Sequence, residues 1–142
     1  MPVTIHTALV QTTKARADRV RPEICKIGFL PGQPKVLTYL SGHSECMQKE
    51  IAEALDIEPA TISQILSKME QAGLIQRTNY AERKRADCVS ITEKGWKAFE
   101  QWTQIRNLID KVSFQGFSQQ EEAQLIDFLC RMYHNLTGKS LA

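Results

Sequence analysis

Between Pro59 and Gly73 the chain carries a pattern that restricts most of what can surround it. Ile62, Ile65, Leu66 and Met69 fall at i, i+3, i+4 and i+7, which sets four apolar side chains on one face of an α-helix. Pro59 suits the first helical position, where its missing N–H would have no intrahelical acceptor, and Gly73 suits the left-handed residue that closes the helix. The other face holds Thr61, Ser63, Gln64, Ser67 and Lys68. These are small or hydrogen-bonding groups, not the long salt-bridged pairs of an ordinary solvated face.

The flanks complete a module. Upstream, Met47, Ile51 and Leu55 recur every fourth residue, which predicts a helix over residues 48–55 and a tight turn at Asp56-Ile57-Glu58. Before that, Pro34 opens a short helix with Val36, Leu37 and Leu40 as its buried stripe, closed at Ser41-Gly42. Downstream, residues 74–78 and 88–91 read as two short strands around the polar, basic segment 79–87. Helix, turn, helix and a hairpin with a basic tip is the winged helix-turn-helix order.

Helices are expected at both ends. Residues 4–20 form a weakly amphipathic one that Pro22 interrupts or kinks, with a turn at Pro31-Gly32. Thr92 caps a helix over 93–112 bearing Trp96, Phe99, Trp102, Leu108 and Ile109, with Gly95 a mild cost in its first turn. Ser118 and Glu121 form a capping box for a last helix to about Asn135, whose broad apolar face includes Leu125, Ile126, Phe128, Leu129, Met132 and Tyr133. The expected fold class is therefore mainly α with a small β-hairpin wing. A single domain is expected over residues 1–142, with a winged helix-turn-helix lobe at 33–95 flanked by helical segments at 1–32 and 96–142 whose surplus apolar residues suit dimerisation.

Composition narrows the function. Among 142 residues, 42% are hydrophobic and 24% charged, and the net charge is only +2. No stretch approaches the roughly 20 apolar residues of a membrane span, and the amino terminus lacks the basic patch and apolar run of a secretory signal. A cytoplasmic protein with no membrane partner is expected. Cys25, Cys46, Cys88 and Cys130 form no CxxC pair, and His6, His43 and His134 show no close metal-ligand spacing, so neither a metal nor a cofactor is expected. No nucleophile–base spacing or phosphate loop marks an enzyme. Residues 47–92 hold six bases against seven acids, so Arg83-Lys84-Arg85 is the one local positive cluster.

Several runs resemble the MarR family of regulators (multiple antibiotic resistance regulators). They are Gln33-Pro34-Lys35-Val36-Leu37, Gln48-Lys49-Glu50-Ile51-Ala52, Leu55-Asp56-Ile57 and Ala60-Thr61-Ile62-Ser63. Met69-Glu70-Gln71-Ala72-Gly73-Leu74-Ile75-Gln76-Arg77 and Val89-Ser90-Ile91-Thr92-Glu93-Lys94-Gly95 complete the set. The chain departs from the family's pattern in having Met47 and Glu58 at the two helix starts. In the wing Arg85 matches the family's arginine, while Arg83 stands where an acid commonly orients it.

The resemblance implies a bacterial or archaeal, sequence-specific transcription regulator, a ligand-responsive homodimeric repressor acting on a pseudo-palindromic duplex operator. The alternative is a winged-helix protein-interaction module without specific DNA binding. Thr61, Ser63, Gln64, Ser67 and Lys68 are the candidates on the reading helix. Gln64 suits an adenine edge, and Pro59 and Ala60 suit a thymine methyl. Gln48 belongs to the same surface. Arg83, Lys84 and Arg85 on the wing are placed for phosphates or the minor groove, with Arg77 in support. The resemblance also implies an effector between the dimer helices and the lobe, for which Arg16, Tyr39 and His43 are the candidate lining. Cys25 lies too near Gln33 to match the family's peroxide-sensing cysteine, so no redox switch is assigned.

Overall fold

The computed structural model describes residues 1–80 and 85–141. Its elements are α1 (Ile5–Lys26), α2 (Gln33–Ser41), β1 (Cys46–Met47), α3 (Gln48–Leu55), α4 (Pro59–Gln71), β2 (Ile75–Tyr80), β3 (Arg85–Ile91), α5 (Glu93–Ser113) and α6 (Gln119–Thr137). The helices and a three-stranded antiparallel sheet ordered β1-β3-β2 give the mainly helical winged-helix architecture that the pattern predicted. The chain divides into two compact units, Met1–Asn107 and Leu108–Ala142.

The core of the first unit gathers Val36, Leu37 and Leu40 of α2, Ile51 and Ala52 of α3, and Ile62, Leu66 and Met69 of α4. Leu74, Ile75 and Val89 close it from the strands. Ile65, the fourth member of the α4 stripe, is only half-buried. It stands against Gly32, where a Cβ would come within 2.9 Å of Ile65 Cδ1. Glycine at 32 thus serves both its left-handed backbone (φ +87°) and this close approach.

Three expectations need correction. First, α1 runs through Pro22 to Lys26, because its last turns bury Ile24 and end in a glycine cap. Gly28 N–H donates to Cys25 O and Phe29 N–H to Ile24 O, the paired bonds of a Schellman motif. Second, the strands extend into the segment read as loop, β2 to Tyr80 and β3 back to Arg85, with a register shift between Thr78 and Tyr80. A third strand, β1, pairs Cys46 with Val89 and Met47 with Cys88. Two residues are too few to display a period, so nothing in the pattern announced it.

The third correction concerns Gly95. It is no mild concession inside a helix, since a Cβ there would run into the Leu74 carbonyl. Around it the end of α4 is stitched to the start of α5. Thr92 Oγ1 donates to Gly73 O at 2.5 Å and accepts from Gly95 N–H at 3.0 Å, while Lys94 Nζ donates to Ala72 O at 2.6 Å.

In the second unit Ser118 and Glu121 cap α6 reciprocally, each side chain accepting from the other's backbone N–H at 3.1 Å. Phe114 and Phe117 meet edge to face at 5.4 Å. Helix α6 buries none of its residues, and Leu125, Ile126, Phe128 and Leu129 are all exposed. Among the described residues, no helix is long and apolar enough to cross a membrane.

Candidate nucleic-acid interface

The turn between α3 and α4 is made by Asp56, held left-handed at φ 53°, with Ile57 N–H donating to Ala52 O at 3.1 Å. Aspartate tolerates this conformation better than most L residues. Helix α3 has Met47 at its N-cap, whose N–H donates to Glu50 Oε2 at 3.1 Å; this is the acid's half of a capping box, and no side-chain oxygen at 47 supplies the half that the family's Ser or Thr would. Glu58 precedes α4 with no side-chain capping bond. Pro59 at the first position leaves one fewer N–H to satisfy there.

Helix α4 ends as Gly73 predicts. Gly73 N–H donates to Glu70 O and Leu74 N–H to Met69 O, both at 3.0 Å. Leu74 and Met69 are both buried beneath that cap, so the helix terminus and the core fix each other.

With Ile62, Leu66 and Met69 wholly buried, the helix turns its other side outward. Pro59, Ala60, Thr61, Gln64, Ser67 and Lys68 are exposed and Ser63 is half-buried. Ser63, Gln64, Ser67, Lys68 and Gln71 line one open hollow of about 480 Å³. The structure therefore brings Ser63, Gln64, Ser67 and Lys68 together and adds Gln71, which the sequence reading missed. Its spacing of seven from Gln64 on a helix was the available signal. Short serine side chains between the longer amides leave room for a base edge to approach.

The remaining sequence candidates scatter. Gln48 opens α3 and is half-buried. Arg77 lies on β2, where its Nε stands 3.9 Å from Glu70 Oε2 and only 20% of its side chain is exposed. Arg83 and Lys84 lie outside the described residues. Arg85 opens β3 in register with Tyr80.

Of the proposed effector lining, Tyr39 and His43 stack at 4.0 Å, and His43 Nδ1 lies 2.8 Å from the Tyr39 carbonyl oxygen. Burial, then the neighbouring Cys46 and Glu50, pushes the Tyr39 hydroxyl above its ordinary pKa. Arg16 is half-buried on α1. A separate open cavity of about 450 Å³ has Ile27, Phe29, Leu74 and Ala98 on its walls with Lys94 and Lys97, and includes none of those three residues. Burial, with help from Glu50 and Cys88, pushes the Cys46 thiol up to about 11, which disfavours the reactive thiolate. Among the described residues, no group of three or more His, Cys, Asp and Glu could hold a metal ion.

Comparison with known proteins accords with this geometry. Residues 31–86 match the MarR family. The HTH-type transcriptional repressor MdtR of Bacillus subtilis (strain 168) is 30% identical over 92 residues, which are 62% of this chain and 59% of that repressor's length. The chain thus matches less than two thirds of that relative. The crystal structure of the transcriptional regulator SlyA aligns with a TM-score of 0.85 at 25% identity, covering 94% of each chain. The Staphylococcus aureus MepR–DNA complex aligns with a TM-score of 0.82 at 23% identity, over 94% of this chain and 97% of MepR, a likeness of fold.

Proposed function

We propose that this chain, whose residues 31–86 match the MarR family and which has the winged-helix fold of its solved neighbours, is a ligand-responsive homodimeric repressor reading a pseudo-palindromic operator. The observation that carries the reading is the two-sidedness of α4. One side is wholly buried at Ile62, Leu66 and Met69, while Thr61, Gln64, Ser67 and Lys68 face out. A major groove admits one helix, and it demands side chains that pair with base edges without a bulky rim. That outward face meets both demands. MepR, of the same fold, has been solved with DNA bound.

Dimerisation is supported by apolar surface that each unit leaves uncovered. Val3, Ile5, Leu9 and Val10 are exposed at the start of the first unit, and Ile126, Phe128 and Leu129 on α6 of the second. A twofold dimer covers such surfaces and sets its two reading helices about 34 Å apart, one turn of duplex. Gln64 is assigned an adenine edge, Pro59 and Ala60 thymine methyls, Lys68 a phosphate, and Arg83, Lys84 and Arg85 the phosphates or the minor groove beside the site. An effector that favours one spacing of the two helices over another would shift operator affinity by population.

Selection of binding sequences from random duplexes by the purified chain tests this. The expected result is an enriched inverted repeat with half-sites one helical turn apart, bound by two chains and released steeply by salt. Changing Arg85 to Ala then weakens binding to most sequences. Failure to enrich any sequence rejects the reading and favours a protein-interaction module, for which Glu58 at the leading edge of α4 is the specific feature.

A further inference from the structure

Arg77 has the type and position of a wing cation, yet the structure commits it elsewhere. It is the third residue of β2, opposite Val89, which is wholly buried. Its Nε lies 3.9 Å from Oε2 of Glu70, the last residue but one of α4. Nε and Nη2 are both shut off from solvent and neither donates a hydrogen bond. Glu70 is the more open partner, its side chain 47% exposed.

A guanidinium placed this way is largely withdrawn from solvent, with its Nε beside a carboxylate of the helix. The pair spans two elements that DNA reading must hold at a fixed angle, the end of the reading helix and the root of the β2–β3 hairpin. It also offsets the negative charge of a carboxylate on the helix that enters a polyanion's groove. Removing Glu70 leaves a largely buried guanidinium short of its counter-charge, whereas removing Arg77 leaves a half-exposed carboxylate to water and a gap at the hairpin root.

We infer that Arg77 is a positioning residue: its pairing with Glu70 fixes the hairpin root against the recognition helix, and operator affinity depends on Arg77 through that geometry and not through a phosphate contact. The inference rests on the DNA-binding reading, and two mechanisms for Arg77 make opposite forecasts. A phosphate contact makes Arg77→Gln shallower in salt dependence by about 0.9 in log–log slope for each lost contact, and makes Glu70→Gln bind more tightly by freeing Arg77 and removing repulsion. The positioning role makes both single variants bind the operator roughly tenfold more weakly, leaves the slope unchanged, and makes the double variant no worse than either single.

The experiment is a double-mutant cycle of E70Q and R77Q on full-length chain and selected operator, at several salt concentrations. Thermal melting of each variant gives its folded fraction. R77K serves as the conservative variant; it retains the charge without the planar fork and is expected to recover only part of the affinity. A pair that merely stabilises the fold would leave the affinity of the folded fraction unchanged, and that result overturns the inference. A shallower slope for R77Q, or tighter binding by E70Q, overturns it equally.

A second arm needs no DNA. Amide exchange at Ile75–Thr78 is expected to accelerate roughly tenfold in each single variant and no further in the double. Unchanged exchange rejects the inference even if the DNA reading holds. If wild-type chain enriches no duplex, the proposed function falls while this arm still decides whether the pair anchors the hairpin.

Discussion

Helices α4 and α6 are both amphipathic, and they meet opposite fates within one chain. Helix α4 sinks Ile62, Leu66 and Met69 to zero exposure and ends in a cap whose carbonyls and amides are mutually satisfied. Helix α6 is as well capped at its start, yet buries no residue and leaves Phe128 51% exposed. Capping makes each of them a helix. Only the first finds its packing partners within its own unit; the apolar face of α6 stays exposed, which is the surface that the proposed dimer would cover.

The sharpest way to break that contrast is to truncate one residue from each helix. Leu66→Ala removes a wholly buried side chain and is expected to cost about 3 kcal/mol of unfolding free energy in denaturant melts. Phe128→Ser should change the stability of the isolated chain little. It should instead weaken self-association, raising the dimer dissociation constant roughly thirtyfold by sedimentation equilibrium. If Phe128→Ser leaves association unchanged, the two helices do not differ in the way proposed.

A third prediction probes how dry the lobe around α4 is. Cys46 ionises near 9 when free and near 11 when folded, because burial disfavours its thiolate. Above about pH 9 the unfolded chain gives up that proton while the folded chain keeps it, so stability falls with rising pH until the folded thiol also ionises. The loss attributable to this group is on the order of 2 kcal/mol. Stability measured from pH 8 to 11 should therefore decline less steeply in Cys46→Ala than in the parent chain. The smallest effect concerns the cap of α6. Ser118→Ala should cost about 1 kcal/mol, read as fraying of the first turn by amide exchange.

The same contrast explains what was legible in the sequence. Elements specified by their own period and caps could be read directly: Pro59 and Gly73 bracket α4, and Ser118 with Glu121 starts α6. Features made by distant residues could not. The brevity of β1 hides a strand that exists only because Cys46 meets Val89. Gly95 looks like a helix defect until the Leu74 carbonyl comes beside it. Arg77 reads as a free wing cation until the fold brings Glu70 within 3.9 Å. On α4 the exposure of Gln64 and Lys68 followed from helical spacing alone, whereas the half-burial of Arg16 on α1 depends on packing that a linear pattern omits.

The central claim is that the outward side of α4 reads bases. Its most direct measurement is a parallel duplex selection with the parent chain and with Gln64→Ala, which alters an exposed side chain and spares the core. The account predicts that Gln64→Ala loses discrimination at one base pair of each half-site, by about 1–3 kcal/mol, with the rest of the preferred sequence intact. Identical preferences from the two proteins, at every position of the operator, would contradict it.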